Sequence, residues 1–103
     1  MISVPFNEVG RAIHLALEKS NEVITLERRL DSSPENDYLS SYAYFIEEFG
    51  TPDYPCDIES ERMVNDLNIS GKLVAVWDFD YYQLSLVLSI SGMTVISTHN
   101  SQQ

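Results

Sequence analysis

Cysteine is almost missing from this chain: Cys56 stands alone in 103 residues. A single thiol excludes an internal disulfide and leaves no cysteine set for zinc, which points to a reducing, cytoplasmic setting. Glycine is sparse as well. Gly10, Gly50, Gly71 and Gly92 are isolated from one another, so no glycine-rich loop exists to cradle a phosphate and nucleotide binding is not expected. Only six bases stand against sixteen acids, and with a formal charge of −10 direct contact with a nucleic-acid backbone would be opposed by the field of the whole molecule. Long apolar runs are also lacking. The most apolar region, Leu73 to Ile96, is interrupted by Asp78, Asp80, Gln83 and several serines, so no membrane span is expected. The start, Met1-Ile2-Ser3-Val4-Pro5, carries no basic leader followed by an apolar core, and no signal peptide is expected.

What the chain does have is acid in one place. Ten of its sixteen carboxylates fall between Asp31 and Asp66, where Arg62 is the single base. The first thirty residues balance Glu8, Glu18, Glu22 and Glu27 against Arg11, Lys19, Arg28 and Arg29, and residues 67–103 carry Asp78 and Asp80 against Lys72. A lopsided negative field raises the association rate for a basic partner. The length fits one domain, and a hydrophobic fraction of 44% argues against disorder.

Phe6, Val9, Ile13 and Leu17 recur at helical spacing and predict a helix over 5–20. Val23 to Leu26 favour a strand over 22–30, with Ile24, Leu26 and Leu30 on one face. Ser33 as cap and Pro34 in the first turn open a second helix over 35–49, whose apolar stripe is Leu39, Tyr42, Phe45, Ile46 and Phe49 and whose stop is Gly50. A strand with Tyr42, Tyr44 and Ile46 on one face is the competing pattern there. Beyond Pro52 and Pro55, Asp57 is placed to cap a short helix over 58–67 carrying Ile58, Met63, Val64 and Leu67. Period-two alternation then predicts strands over 72–78, 82–90 and 93–99, with Gln83 and serines marking the solvent side of the middle one. The expected class is α+β: helices on one face of a mostly antiparallel sheet that ends in a three-stranded meander.

Two features compete as sites. In the acidic stretch Tyr42, Tyr44 and Tyr54 alternate with Glu47, Glu48, Asp53, Asp57, Glu59 and Glu61, the mixture of aromatic anchor and charge from which interface hot spots are built. Excess acid also serves solubility alone. Asp78-Phe79-Asp80 ends an apolar strand with two carboxylates one residue apart, which can share a divalent ion; a turn flanking Phe79 explains the same tripeptide, and both acids can extend the acidic surface. That tripeptide resembles the opening of the haloacid dehalogenase phosphatases, but Tyr82 stands where that family places Thr or Val, and no run of strand-helix-strand units follows. Cys56 lies between Asp53 and Asp57, which raise a thiol pKa and disfavour catalysis. His14 and His99 lack sequence-near second ligands, so metal binding and general-base roles are not expected.

In its profile over the whole chain (short, strongly acidic, one cysteine, no catalytic set) the sequence resembles the small immunity proteins of bacterial contact-dependent inhibition and other polymorphic toxin systems. Colicin nuclease immunity proteins likewise place tyrosine and proline among acids, as Asp53-Tyr54-Pro55 does here, although they are all-helical. The resemblance implies a binding protein with no cofactor and no enzymatic activity, whose partner is a basic protein toxin, commonly a nuclease domain, held by occlusion. Alternatives are a nucleic-acid mimic that inhibits a nuclease and a small metal-dependent hydrolase using Asp78 and Asp80.

Overall fold

Val9, Ala12, Ile13 and Ala16, spaced at three and four residues, are all buried and make the inner face of helix α1 (Val9–Glu18). The computed structural model describes residues 2–19, 21–64 and 68–100. Pro5 keeps an extended backbone and is followed by a 3-10 turn, Phe6–Glu8, so the helix starts later than the expected residue 5. Asn21, in the left-handed region at φ 68°, reverses the chain into strand β2 (Val23–Leu26). That strand stops short of the expected 22–30, and Leu30, expected on the buried face, is fully exposed.

Helix α2 (Pro34–Phe49) begins as the sequence predicts: the Ser33 hydroxyl accepts from the Asn36 amide and Pro34 occupies the first turn. Its end is Gly50 at φ 80°, a conformation that suits glycine. In its first turn Asp37 is buried, with its side chain 3% exposed against 38% for its partner Arg29, whose Nε donates to Oδ1 at 2.7 Å. The Arg29 amide donates to the other oxygen at 3.2 Å, and the guanidinium also lies over the Phe6 ring. Burial pushes the Asp37 carboxyl up, but the Arg29 hydrogen bonds outweigh it and the pKa falls below its ordinary value. A depressed folded-state pKa contributes stability above the unfolded value, near pH 4, that is lost as pH falls through the folded value. Asp37→Asn is therefore expected to cost about 1–3 kcal/mol at pH 7. Urea titrations should show that cost shrinking below about pH 4, and an unchanged gap at pH 2.5 would contradict the ion pair's role.

The sheet has six strands among the described residues, in the order β1-β2-β6-β5-β4-β3. Besides β2 these are β1 (Ile2–Val4), β3 (Arg62–Val64), β4 (Ile69–Asp78), β5 (Tyr82–Ser89) and β6 (Thr94–Asn100). Only β1 and β2 pair in parallel; the other neighbours are antiparallel. The class is α+β, with α1 and α2 on one face of a mixed sheet. Under the helices lie Leu73, Ala75 and Trp77 of β4, Leu84, Leu86 and Leu88 of β5, and Ile96 of β6. Val74, Val87 and Val95 form a second cluster on the opposite face, as strand alternation requires. Ser85 and Ser89, expected at solvent, are buried there: Ser85 sits in register between Val76 and Ser97, and the Ser89 hydroxyl donates to the Met93 carbonyl at 3.0 Å.

The short helix expected over 58–67 is not there. Residues 58 and 59 form a turn and Arg62–Val64 is a strand paired with β4, while residues 65–67 lie outside the described residues. A free edge of β4 offers backbone hydrogen bonds that a solvent-exposed helical turn cannot match, and that pairing decides the local structure.

Candidate functional site

The last turn of α2 carries Glu47 and Glu48 and no base. Carbonyl dipoles make a helix C-terminus negative, so each acid there costs about 0.3–1 kcal/mol where a lysine would stabilise. The fold adds to this charge. Gly50 accepts from the Trp77 indole N–H at 3.0 Å, and the Asp53 carboxylate accepts from the Asp78 amide at 2.7 Å, which draws the end of α2 against the end of β4. Phe49 meets Phe79 with ring centroids 5.9 Å apart, and Phe79 meets Tyr82 at 4.8 Å, holding the β4–β5 turn with its Asp80 beside them. Glu47, Glu48, Asp53, Asp78 and Asp80 are all exposed and share one end of the molecule.

A second acidic segment runs along the β4 edge. Tyr54 bridges Val76 with bonds of 3.0 and 2.9 Å, and Arg62 stands opposite Gly71. Eight residue steps from Tyr54 to Arg62 thus pass five on β4, and the surplus loops outward. Pro55 and charge on such a loop interrupt an edge that would otherwise invite pairing. The loop exposes Asp57, Glu59 and Glu61. Asp57 caps no helix; its carboxylate accepts from the Glu59 amide at 3.1 Å and its carbonyl from the Ser60 amide at 3.0 Å, which tightens the turn.

The three tyrosines named as anchors separate. Tyr42 is half-buried and packs between Tyr38 and Trp77, with centroids at 6.4 and 6.2 Å. Tyr44 reaches across to α1, where its hydroxyl would lie 2.9 Å from a Cβ on Gly10. Tyr54 lies under the Arg62 guanidinium, 4.0 Å from its ring centroid. None of the three stands free beside the acidic end. Tyr44 stays partly exposed, and more exposed apolar side chains include Ile58 (74%), Met63 (57%), Tyr81 (70%) and Ile90 (60%). Tyr81 sits in the β4–β5 turn beside Asp80, while Met63 and Ile90 flank a cleft with Glu61. The period-two pattern over 82–90 placed Ile90 on a strand; β5 ends at Ser89, which leaves it at the surface.

Asp78 is occupied locally, its Oδ1 accepting from the Gln83 side-chain Nε2 at 2.8 Å. Among the described residues no group of three His, Cys, Asp or Glu side chains converges as metal ligands. His14 pairs with Glu18 at 2.8 Å in solvent, and His99 Nδ1 lies 3.1 Å from the Asn21 amide oxygen. Cys56 turns inward from the edge loop to the Tyr38 hydroxyl. Burial raises the thiol pKa, the hydrogen bond to Tyr38 offsets part of this and Asp57 adds to it, so the nucleophilic thiolate is disfavoured. Burial likewise pushes the Tyr38 phenol up, and its hydroxyl donates to the Leu86 carbonyl at 3.0 Å.

Charge therefore divides across the sheet. Arg11, Lys19, Arg28 and Arg29 offset the acids around α1 and β2, whereas only Arg62 and Lys72 are set against the acids at the α2 C-terminus and along β4 among the described residues. Among the described residues no helix is long and apolar enough to cross a membrane. No protein family, curated protein or solved structure matches this chain.

Proposed function

We propose that this chain is a binding protein that neutralises a basic protein toxin, in the manner of an immunity protein, by docking its acidic end over the toxin's cationic cleft. The toxin class that fits is a nuclease domain, because an enzyme that attracts phosphates needs a positive active site. The observation that carries the proposal is the placement of Glu47 and Glu48 on the negative end of α2, beside Asp53, Asp78 and Asp80. Solubility is served by acids anywhere on the surface. Acids gathered where they repel a helix dipole and each other cost stability, and a cationic partner relieves that cost. Binding would then block catalysis by occlusion, with the chain doing no chemistry, in the cytoplasm of the cell that makes the toxin.

The test is co-expression. The protein encoded by the gene directly upstream of this chain's own is produced from an inducible promoter, with and without the chain. Growth arrest by that protein alone and growth restored by the chain are expected. Arrest that persists undiminished with the chain present at equal or higher level counts against the proposal.

A further inference from the structure

Among the described residues β3 is the outermost strand on its side of the sheet. The Ser70 carbonyl points inward and accepts from the Ile90 backbone N–H at 3.2 Å, and the N–H and C=O of one residue in an antiparallel strand point the same way. Ser70 therefore turns away from Met63, its partner in register, and Met63 in turn presents its own N–H and C=O to the free edge. Such an edge is a template for one more strand. The side chains beside it alternate. Arg62 and Val64 lie with Tyr54 and Ile69 on the face away from the helices, the Arg62 guanidinium turned onto the Tyr54 ring; Met63 lies on the other, where it lines a cleft of about 200 Å³ with Glu61, Arg62, Ser70, Gly71 and Ile90.

We propose that this edge receives an extended basic segment of the protein partner as a seventh strand. A lysine or arginine on its helix-side face lays its stem over Met63 and Ile90 and carries its cation to Glu61, as long basic side chains do at apolar surfaces with an acidic rim. A small apolar residue on the opposite face meets Val64. A second copy of this chain suits the edge less, because it brings the segment Asp57–Val64, with three acids and one base, against its own like. The assignment rests on the acidic docking proposed above and names how part of the partner is held.

The probe is a seven-residue peptide alternating lysine and valine with blocked ends, compared with the same peptide methylated on alternate backbone nitrogens, which keeps its charge and removes its edge donors. Both are titrated into the isotope-labelled protein. The expected result is largest amide shifts at Arg62, Met63, Val64 and Ile90, slowed hydrogen exchange at Met63, and binding weakened about tenfold by methylation or by Glu59→Lys with Glu61→Lys. Equal binding of both peptides, shifts confined to Glu47, Glu48 and Asp80, or no binding by either overturns the seventh strand. Any of these results leaves the co-expression test free to succeed, so loss of edge pairing and loss of acidic docking are told apart.

Discussion

Trp77→Ala is expected to destabilise the fold by about 3–5 kcal/mol, the range for emptying a buried large aromatic site. Trp77 is 2% exposed and lies 5.2 Å from Phe45, 6.2 Å from Tyr42 and 6.4 Å from Phe49 between ring centroids. No neighbouring side chain is long enough to refill that volume, and rigid rings collapse poorly into it. The lost indole N–H also unties Gly50 from β4, so the C-terminal turn of α2 loses its anchor. In urea the midpoint should fall by more than about 1 M with little change in slope. Tyr81→Ala, at an exposed ring, should stay within about 0.5 kcal/mol of wild type. A Trp77→Ala midpoint within error of wild type would mean that this aromatic cluster is not what joins α2 to the sheet.

The second large effect separates stability from binding. Glu47→Lys with Glu48→Lys converts two unfavourable helix-end charges into favourable ones, a gain of about 1 kcal/mol or more at low ionic strength. For a domain of this size that raises Tm by about 4–8 °C. The same substitutions should abolish protection from the toxin domain in the co-expression assay, because the surface that attracts a cation becomes cationic. A protein that becomes more stable and stops working has kept its acids for a partner. A double variant that is more stable and protects fully assigns Glu47 and Glu48 to solubility.

Much of this architecture is legible in the sequence, and the reasons are local. Helix α2 is legible because Ser33, Pro34 and Gly50 each act on the backbone within one turn of their own position. The alternation from Leu84 to Leu88 is legible because β5 lies under the helices on one side. β1 is not, since three residues carry almost no periodicity and Ile2–Val4 is a strand only because β2 lies beside it. Residues 58–64 are misread for a similar reason: Ile58, Met63 and Val64 fit a helical stripe, and only the free edge of β4 makes Arg62–Val64 a strand. The acidic site is half legible. Its charge is plain from composition, but Asp37 belongs to a half-buried ion pair with Arg29, and Tyr42 belongs to the packing around Trp77. Three of the exposed apolar residues, Met63, Tyr81 and Ile90, sit at a strand edge or just beyond strand ends, where no sequence period distinguishes inside from outside.

The account turns on an electrostatic claim, that the α2 end and the β4 edge draw in a cationic protein. Stopped-flow association of the chain with the toxin domain, followed from about 10 mM to 500 mM salt, tests it most directly. Steered association is expected to run near 10⁸ M⁻¹s⁻¹ at low salt and to fall about 100-fold across that range. The Glu47→Lys, Glu48→Lys and Asp80→Lys triple variant should start near about 10⁶ M⁻¹s⁻¹ and lose this dependence. Equal rates and equal salt slopes for the two proteins would contradict it.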